Sequence, residues 1–278
     1  MPKFRITVLV ENTAAGPGLV AEHGLAYWIE HNDQNILFDT GQTNVLAANA
    51  YKLGVKLHYL DALVLSHGHY DHTGGVAEAL KTDRAVTAYV HPAAFSKKFI
   101  HKSDLAAREI GMPYVAVKVI QHPRHRIVST LGPTEVVGDV TATGPVPRLT
   151  DYEDTGGTFF LDQACTRPDP IEDDQSLFFN TTQGTVVLLG CAHSGVINIL
   201  NAIRQFTGNR PIAAVIGGMH LVSASEQRLG QTIEAFRRLG VKHLAPAHCT
   251  GMPATVALWN AFPGQCQPCP AGTRFEFD

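Results

Sequence analysis

Polar and apolar positions change period along this chain. FRITVLV (Phe4–Val10), LAYWIE (Leu25–Glu30) and NILFDT (Asn35–Thr40) are short β-rich runs with turn residues such as Asn32 and Asp33 between them, which predicts an N-terminal β-meander. TNVLAANAYKLG follows with helical spacing and stops at Gly54. ALVLS (Ala62–Ser66) is a continuous apolar run, the pattern of a strand buried on both faces. The same unit returns later. TVVLLG (Thr185–Gly190) precedes a helix beginning near Ser194, IAAVIGG (Ile212–Gly218) one over Glu226–Leu239, and HLAPA (His243–Ala247) a shorter one near Thr255. Strand, loop and helix in succession predict an α/β fold whose sheet is sandwiched by helices. Residues from about Ala93 to Asp174 break the pattern with Pro, Gly, His and charge, and are expected to form a lid or insertion on a single domain spanning 1–278.

Composition narrows the class. The 278 residues are 45% hydrophobic and 17% charged with a net charge of −3, enough apolar content for a real core. That balance offers no basic surface for a nucleic-acid polymer and no polybasic patch for a membrane. No apolar run approaches the roughly eighteen residues of a membrane span, and the N-terminal stretch turns polar too early for a signal peptide. The five cysteines (Cys165, Cys191, Cys249, Cys266 and Cys269) are odd in number and scattered, which argues against a disulfide framework and for a cytoplasmic setting. Cys266 and Cys269 form a lone CxxC, weak evidence for zinc without a second pair. A small-molecule substrate is the expected partner, and a homodimer the expected assembly without a residue-level reason.

The chemistry concentrates in SHGHYDHTGG (Ser66–Gly75), where His67, His69, Asp71 and His72 crowd together. ALVLS runs into His67, TVVLLG into His193, IAAVIGG into His220 and HLAPA into His248. Ligands in open α/β sheets sit at the carboxyl ends of strands, so these histidines are expected to converge on one side of the sheet. His67 and His69, two apart in an extended loop, face the same way, while Asp71 and His72 follow a turn and face a second point. Gly68, Gly74 and Gly75 allow the backbone to approach closely. Imidazole nitrogens with one carboxylate and no obligatory thiolate suit Zn²⁺ or a similar divalent ion such as Mn²⁺ or Fe²⁺, and not a Cys-rich structural site. A lone histidine is ordinarily a solvated or packed side chain; four strand-end histidines with HGHYDH are not explained that way.

HGHYDH resembles the HxHxDH signature of the metallo-β-lactamase-fold hydrolases. FDTG (Phe38–Gly41), GCAHSG (Gly190–Gly195) and HCTG (His248–Gly251) fall in the order of that family. ENT (Glu11–Thr13), EHG (Glu22–Gly24), EDDQ (Glu172–Gln175) and GGMHL (Gly217–Leu221) are similar to the subfamily named for ribofuranosylaminobenzene 5′-phosphate synthase and dihydropterin metabolism. The resemblance implies a four-layer αββα sandwich with two divalent metal ions, His67, His69 and His193 holding the first and Asp71, His72 and His248 the second. It also implies a water activated by both ions as nucleophile, with Asp71 orienting it or taking up its proton. Most dinuclear members carry a bridging Asp where this chain has Gly218, and His220 stands two residues later as a substitute ligand or a contact to substrate.

Other residues have competing readings. Asp39 is expected to cap a helix or to accept a hydrogen bond from a ligating imidazole. Glu22 and His23 face the site or form a surface turn. Asp173 and Asp174 hold ligand histidines or lie in a solvated loop. Cys191 and Cys249, each beside a ligand candidate, are expected as small buried packing residues, with a further ligand as the alternative reading. His91, His101, His122, His125, Lys97, Lys98, Lys102, Arg124 and Arg126 are expected to be solvated, although a phosphate-bearing substrate would want such cations nearby.

Overall fold

The computed structural model describes residues 4–101 and 106–278; Lys102 lies outside the described residues. The chain folds as two compact units made of separate stretches. The first takes residues up to 130, 158–173 and 270–278, and the second takes 131–157 and 174–269.

The first unit is built on strands β1 (Phe4–Val10), β2 (Ala26–His31), β3 (Gln34–Phe38), β4 (Ala62–Val64), β5 (Thr87–Val90), β8 (Arg126–Ser129) and β16 (Arg274–Phe277). Their order is β16-β1-β2-β3-β4-β5-β8, antiparallel through the meander and parallel from β3 onward. Trp28, Leu37 and Leu63 pack on one face against helices α1 (Val45–Leu53), α3 (Val76–Ala79) and α4 (Tyr114–Ile120). The alternate residues Tyr27, Ile29, Ile36 and Phe38 are equally buried, so these strands are apolar on both faces. Gly54 ends α1 at φ 74° and donates to the carbonyls of Ala50 and Tyr51. Buried Asn49 on α1 donates to Leu9 O and Val20 O and accepts from Val20 N, which ties helix, strand and loop together. Three two-residue strands, β6 (Phe99–Ile100), β7 (Arg108–Glu109) and β11 (Phe159–Phe160), form a small sheet in the order β11-β6-β7.

The second unit holds β9 (Thr134–Val137), β10 (Val140–Ala142), β12 (Leu177–Thr181), β13 (Gly184–Leu189), β14 (Ile212–Gly218) and β15 (His243–Ala247). Their order is β15-β14-β13-β12-β10-β9, with β13, β14 and β15 parallel. Helices α5 (Val196–Phe206), α6 (Glu226–Leu239) and α7 (Met252–Ala261) cover one face, where Leu200, Phe236 and Leu258 pack with Val187, Val215 and Leu244. Ser225 caps α6 by accepting from Arg228 N, and Gly240 closes it at φ 64°. Each unit thus carries one large sheet and one helical layer. Among the described residues no helix is long and apolar enough to cross a membrane.

One expectation changes here. ALVLS does not share a sheet with the other three histidine-bearing strands: β4 lies in the seven-stranded sheet, and β13, β14 and β15 in the six-stranded one. A continuous apolar run marks a strand buried on both faces but carries no information about which sheet it joins. The stretch 93–174 is spread over both units, giving β6, β7, β8, β11 and α4 to one and β9 and β10 to the other.

Candidate functional site

In the first unit, β4 delivers the HGHYDH loop, which turns into the one-turn helix α2 (Tyr70–Thr73). Its glycines are sterically required: a β-carbon would lie 2.3 Å from Ala94 O at Gly68, 2.0 Å from Gln42 O at Gly74 and 2.1 Å from Thr40 O at Gly75. His67 and His72 are fully buried, and His69 and Asp71 nearly so.

The ring nitrogens are held in defined roles. His72 Nδ1 lies 2.7 Å from Asp39 Oδ2, and a carboxylate only accepts, so Nδ1 carries the proton and Nε2 the lone pair. Ser66 Oγ donates to Asp39 Oδ2 at 2.7 Å and accepts from His67 Nδ1 at 2.9 Å, which leaves the His67 lone pair on Nε2. That nitrogen faces His69 Nδ1 at 2.9 Å, and His72 Nε2 lies 3.9 Å from Asp71 Oδ2. Two donors about 2.1 Å from a shared ion stand at most about 4.2 Å apart, so both pairs fit a divalent cation. Burial pushes the His69 pKa down to about 3 against the pull of Asp71, which keeps the ring in the neutral, ligating form. His23, half exposed, sets Nε2 3.1 Å from Asp71 Oδ2.

Behind the loop sits a fully buried ion cluster. Lys98 Nζ donates to Asp173 Oδ1 at 2.7 Å and to Asp169 Oδ2 at 2.9 Å, and Asp173 Oδ2 accepts from Gly68 N at 2.7 Å. Burial alone would lower the Lys98 pKa, but the two carboxylates outweigh it and raise it. Asp39 also accepts from Ser66 N at 2.7 Å, whereas the carboxylate of Glu22 accepts from Gln42 N, Thr43 N and Thr43 Oγ1 at the approach to α1.

In the second unit the ends of β13, β14 and β15 bring His193, His220 and His248 together with Cys191 and Cys249. Ligating atoms of Cys191, His193 and His220 lie within 4.8 Å of one another, as do those of Cys191, His248 and Cys249. Asp174 accepts from His193 N at 3.0 Å and Ser194 N at 2.8 Å, and burial raises its pKa to about 6. His193 Nδ1 donates to Thr155 O at 2.7 Å, so its lone pair too is on Nε2. Ala192, His220 and His248 take positive φ of 57°, 46° and 49°, and Asp39 in the first unit takes 61°. Burial opposes charge on both His220 and Cys249, yet each offsets it for the other, raising the imidazole pKa and lowering the thiol's.

The loop before β11 straps this cluster. Glu153 accepts from Ile197 N and Asn198 N at the start of α5, both at 2.9 Å. Asp154 pairs with buried Arg228, and Gly156 lies so close to His220 that a β-carbon would stand 1.7 Å from His220 Cδ2. Glu153, Thr155, Asp169 and Lys98 carry no motif in the sequence, and only the clustering of charge and glycine hinted at them. Asp173 and Asp174 are buried and hold the backbone of the histidine-bearing loops, and are not a solvated pair. Lys98 is not solvated either, because two carboxylates enclose it. His91 accepts from Ala93 N and His125 from Val86 N, both structural roles. No disulfide joins the five cysteines, and burial pushes the Cys266 thiol up to about 11, which makes it inert.

Known proteins share this fold. The model of the metallo-β-lactamase superfamily matches residues 19–162. A protein of Methanocaldococcus jannaschii named 7,8-dihydropterin-6-methyl-4-(β-D-ribofuranosyl)-aminobenzene-5′-phosphate synthase is 28% identical over 268 residues, covering 92% of this chain and 90% of its own. A second from that organism, the uncharacterised protein MJ0448, is 30% identical over 258 residues, covering 91% and 93%. The crystal structure of Tm1679, described as a metal-dependent hydrolase of the β-lactamase superfamily, superposes with a TM-score of 0.82 at 30% identity over 98% of each chain. With the family's fold in both units and its signature residues buried at strand ends, the chain belongs to the metallo-β-lactamase superfamily.

Proposed function

We propose that the chain is a cytoplasmic, metal-dependent hydrolase that uses two divalent ions, zinc by its donor chemistry, on a phosphate-ester or a pterin- or nucleotide-related small molecule. His67, His69 and His193 would hold one ion, and Asp71, His72 and His248 the other. The observation that carries this reading is the set of fixed tautomers. Built acceptors take the Nδ1 proton of His67, His72 and His193, so each presents an Nε2 lone pair. Packing histidines need no such uniform polarity. When bound, the ions supply an acidified water and polarise the group it attacks. Asp71 would orient that water and hold its proton, and His23 Nε2, 3.1 Å from Asp71 Oδ2, stands as the next proton carrier. His220, turned by its positive φ and held on Gly156, donates a hydrogen bond to the substrate.

The substrate class rests on likeness to the aminobenzene-5′-phosphate synthase. The phosphate-binding role of cations gains nothing from Lys98 or Arg228, since each is neutralised by carboxylate. A synthase-like transferase is the second reading, favoured by that relative's name. Elemental analysis of chain purified without chelator tests the metal; about two divalent ions are expected, with clear loss in His67→Ala. Turnover of phosphate mono- and diesters exceeding that of lactones and thioesters supports the substrate class. A wild type that takes up neither zinc nor manganese would overturn the reading.

A further inference from the structure

Gly218 stands where the resemblance implies a bridging carboxylate, and the structure shows what holds that place. A β-carbon at 218 would lie 2.4 Å from Gly190 O and 2.7 Å from Cys249 Sγ. The sulfur of Cys249 therefore occupies the space a side chain at 218 would enter. Cys249 directly follows His248, is 9% exposed, and its sulfur sits in the group with His248 and Cys191 whose donor atoms lie within 4.8 Å of one another. Its thiol donates to Cys191 O at 3.5 Å, so the sulfur is held in place through the backbone carbonyl of residue 191. The side chain is thus fixed, buried, beside a proposed ligand, and in the seat of the absent acid.

We infer that Cys249 Sγ is a metal ligand, binding beside His248 the second of the two proposed ions in place of the missing carboxylate. The inference rests on the two-ion reading above. On binding, the S–H bond breaks, its proton passes to solvent and a sulfur–metal bond forms, so one proton is released per ion captured at this ligand. The thiolate keeps the single negative charge a carboxylate would have brought. Being soft, it also favours zinc or cobalt over manganese or magnesium at that position.

The full chain, stripped with chelator, is titrated with Co²⁺ and followed by absorption, alongside Cys249→Ser and Cys191→Ser. A thiolate-to-cobalt charge-transfer band in the near ultraviolet should grow with the second equivalent in the wild type and in Cys191→Ser, and be absent in Cys249→Ser. The second equivalent should bind Cys249→Ser about tenfold or more weakly. Two cobalt ions without that band in the wild type would overturn the inference and leave the two-ion reading standing. A band lost in Cys191→Ser but kept in Cys249→Ser would also overturn it. A wild type that binds no cobalt would sink both. Absence of the band from the wild type overturns the inference even where a variant fails to fold.

Discussion

Asp39→Asn isolates one hydrogen-bond acceptor on which the HGHYDH loop depends. The carboxylate accepts three bonds at 2.7 Å, from Ser66 N and Ser66 Oγ and from His72 Nδ1, and is fully buried. Asparagine tolerates the left-handed backbone at φ 61°, so the swap changes hydrogen bonding without adding backbone strain. Its amide offers one accepting and one donating end. With oxygen toward His72, the NH₂ meets Ser66 N–H and a buried donor goes unmade, a loss of about 1–3 kcal/mol. With NH₂ toward His72, the ring must accept on Nδ1, which moves its proton to Nε2 and closes the nitrogen that would ligate. Either orientation costs stability or metal affinity, the latter by about 10–100-fold. Chelator competition for zinc, with thermal unfolding of the metal-free chains, measures both. Zinc affinity and melting temperature both equal to the wild type would refute the reasoning.

Other outcomes follow from the same geometry. Lys98→Met leaves Asp169 and Asp173 as uncompensated buried carboxylates and should destabilise the metal-free chain by about 3–5 kcal/mol in denaturant titration. Because the folded pKa of Lys98 is raised above 10.5, its stabilising contribution is fully present below that pH and is lost as pH rises through the higher folded value. Melting temperatures of wild type and Lys98→Met should therefore converge only in strongly alkaline buffer, and convergence near neutrality would contradict the ion cluster. Gly156→Ala places a β-carbon 1.7 Å from His220 Cδ2 at φ 79°, so hydrolysis should fall sharply while bound metal is retained; turnover equal to the wild type would contradict a substrate role for His220.

Much of the fold was legible because strand and helix periods are strong where burial is two-sided or amphipathic. IAAVIGG is β14, and the helix expected over Glu226–Leu239 is α6 with a serine cap and a glycine stop. Sheet membership was not legible, since ALVLS and TVVLLG present the same apolar surface to any partner strand. The stretch 93–174 hid β8 and β9 because edge strands such as Arg126–Ser129 are largely exposed and lose their apolar alternation. At the site, the crowding of His67, His69, Asp71 and His72 in HGHYDH marked the loop that β4 delivers. Lys98, Asp169, Glu153 and Thr155 contribute through single long-range bonds, which leave no period in the sequence.

The left-handed residues around the histidines bear on how an ion would be taken up. Asp39, Ala192, His220 and His248 hold backbone conformations that L-residues rarely adopt, each costing on the order of 1 kcal/mol or more, and folding meets that cost before any ion arrives. Capture of an ion there would then require little rearrangement of the main chain at these positions. The same four positions are also where Gly substitution would relieve strain, so selection for thermal endurance alone would drift toward glycine there and loosen the donors as it did so.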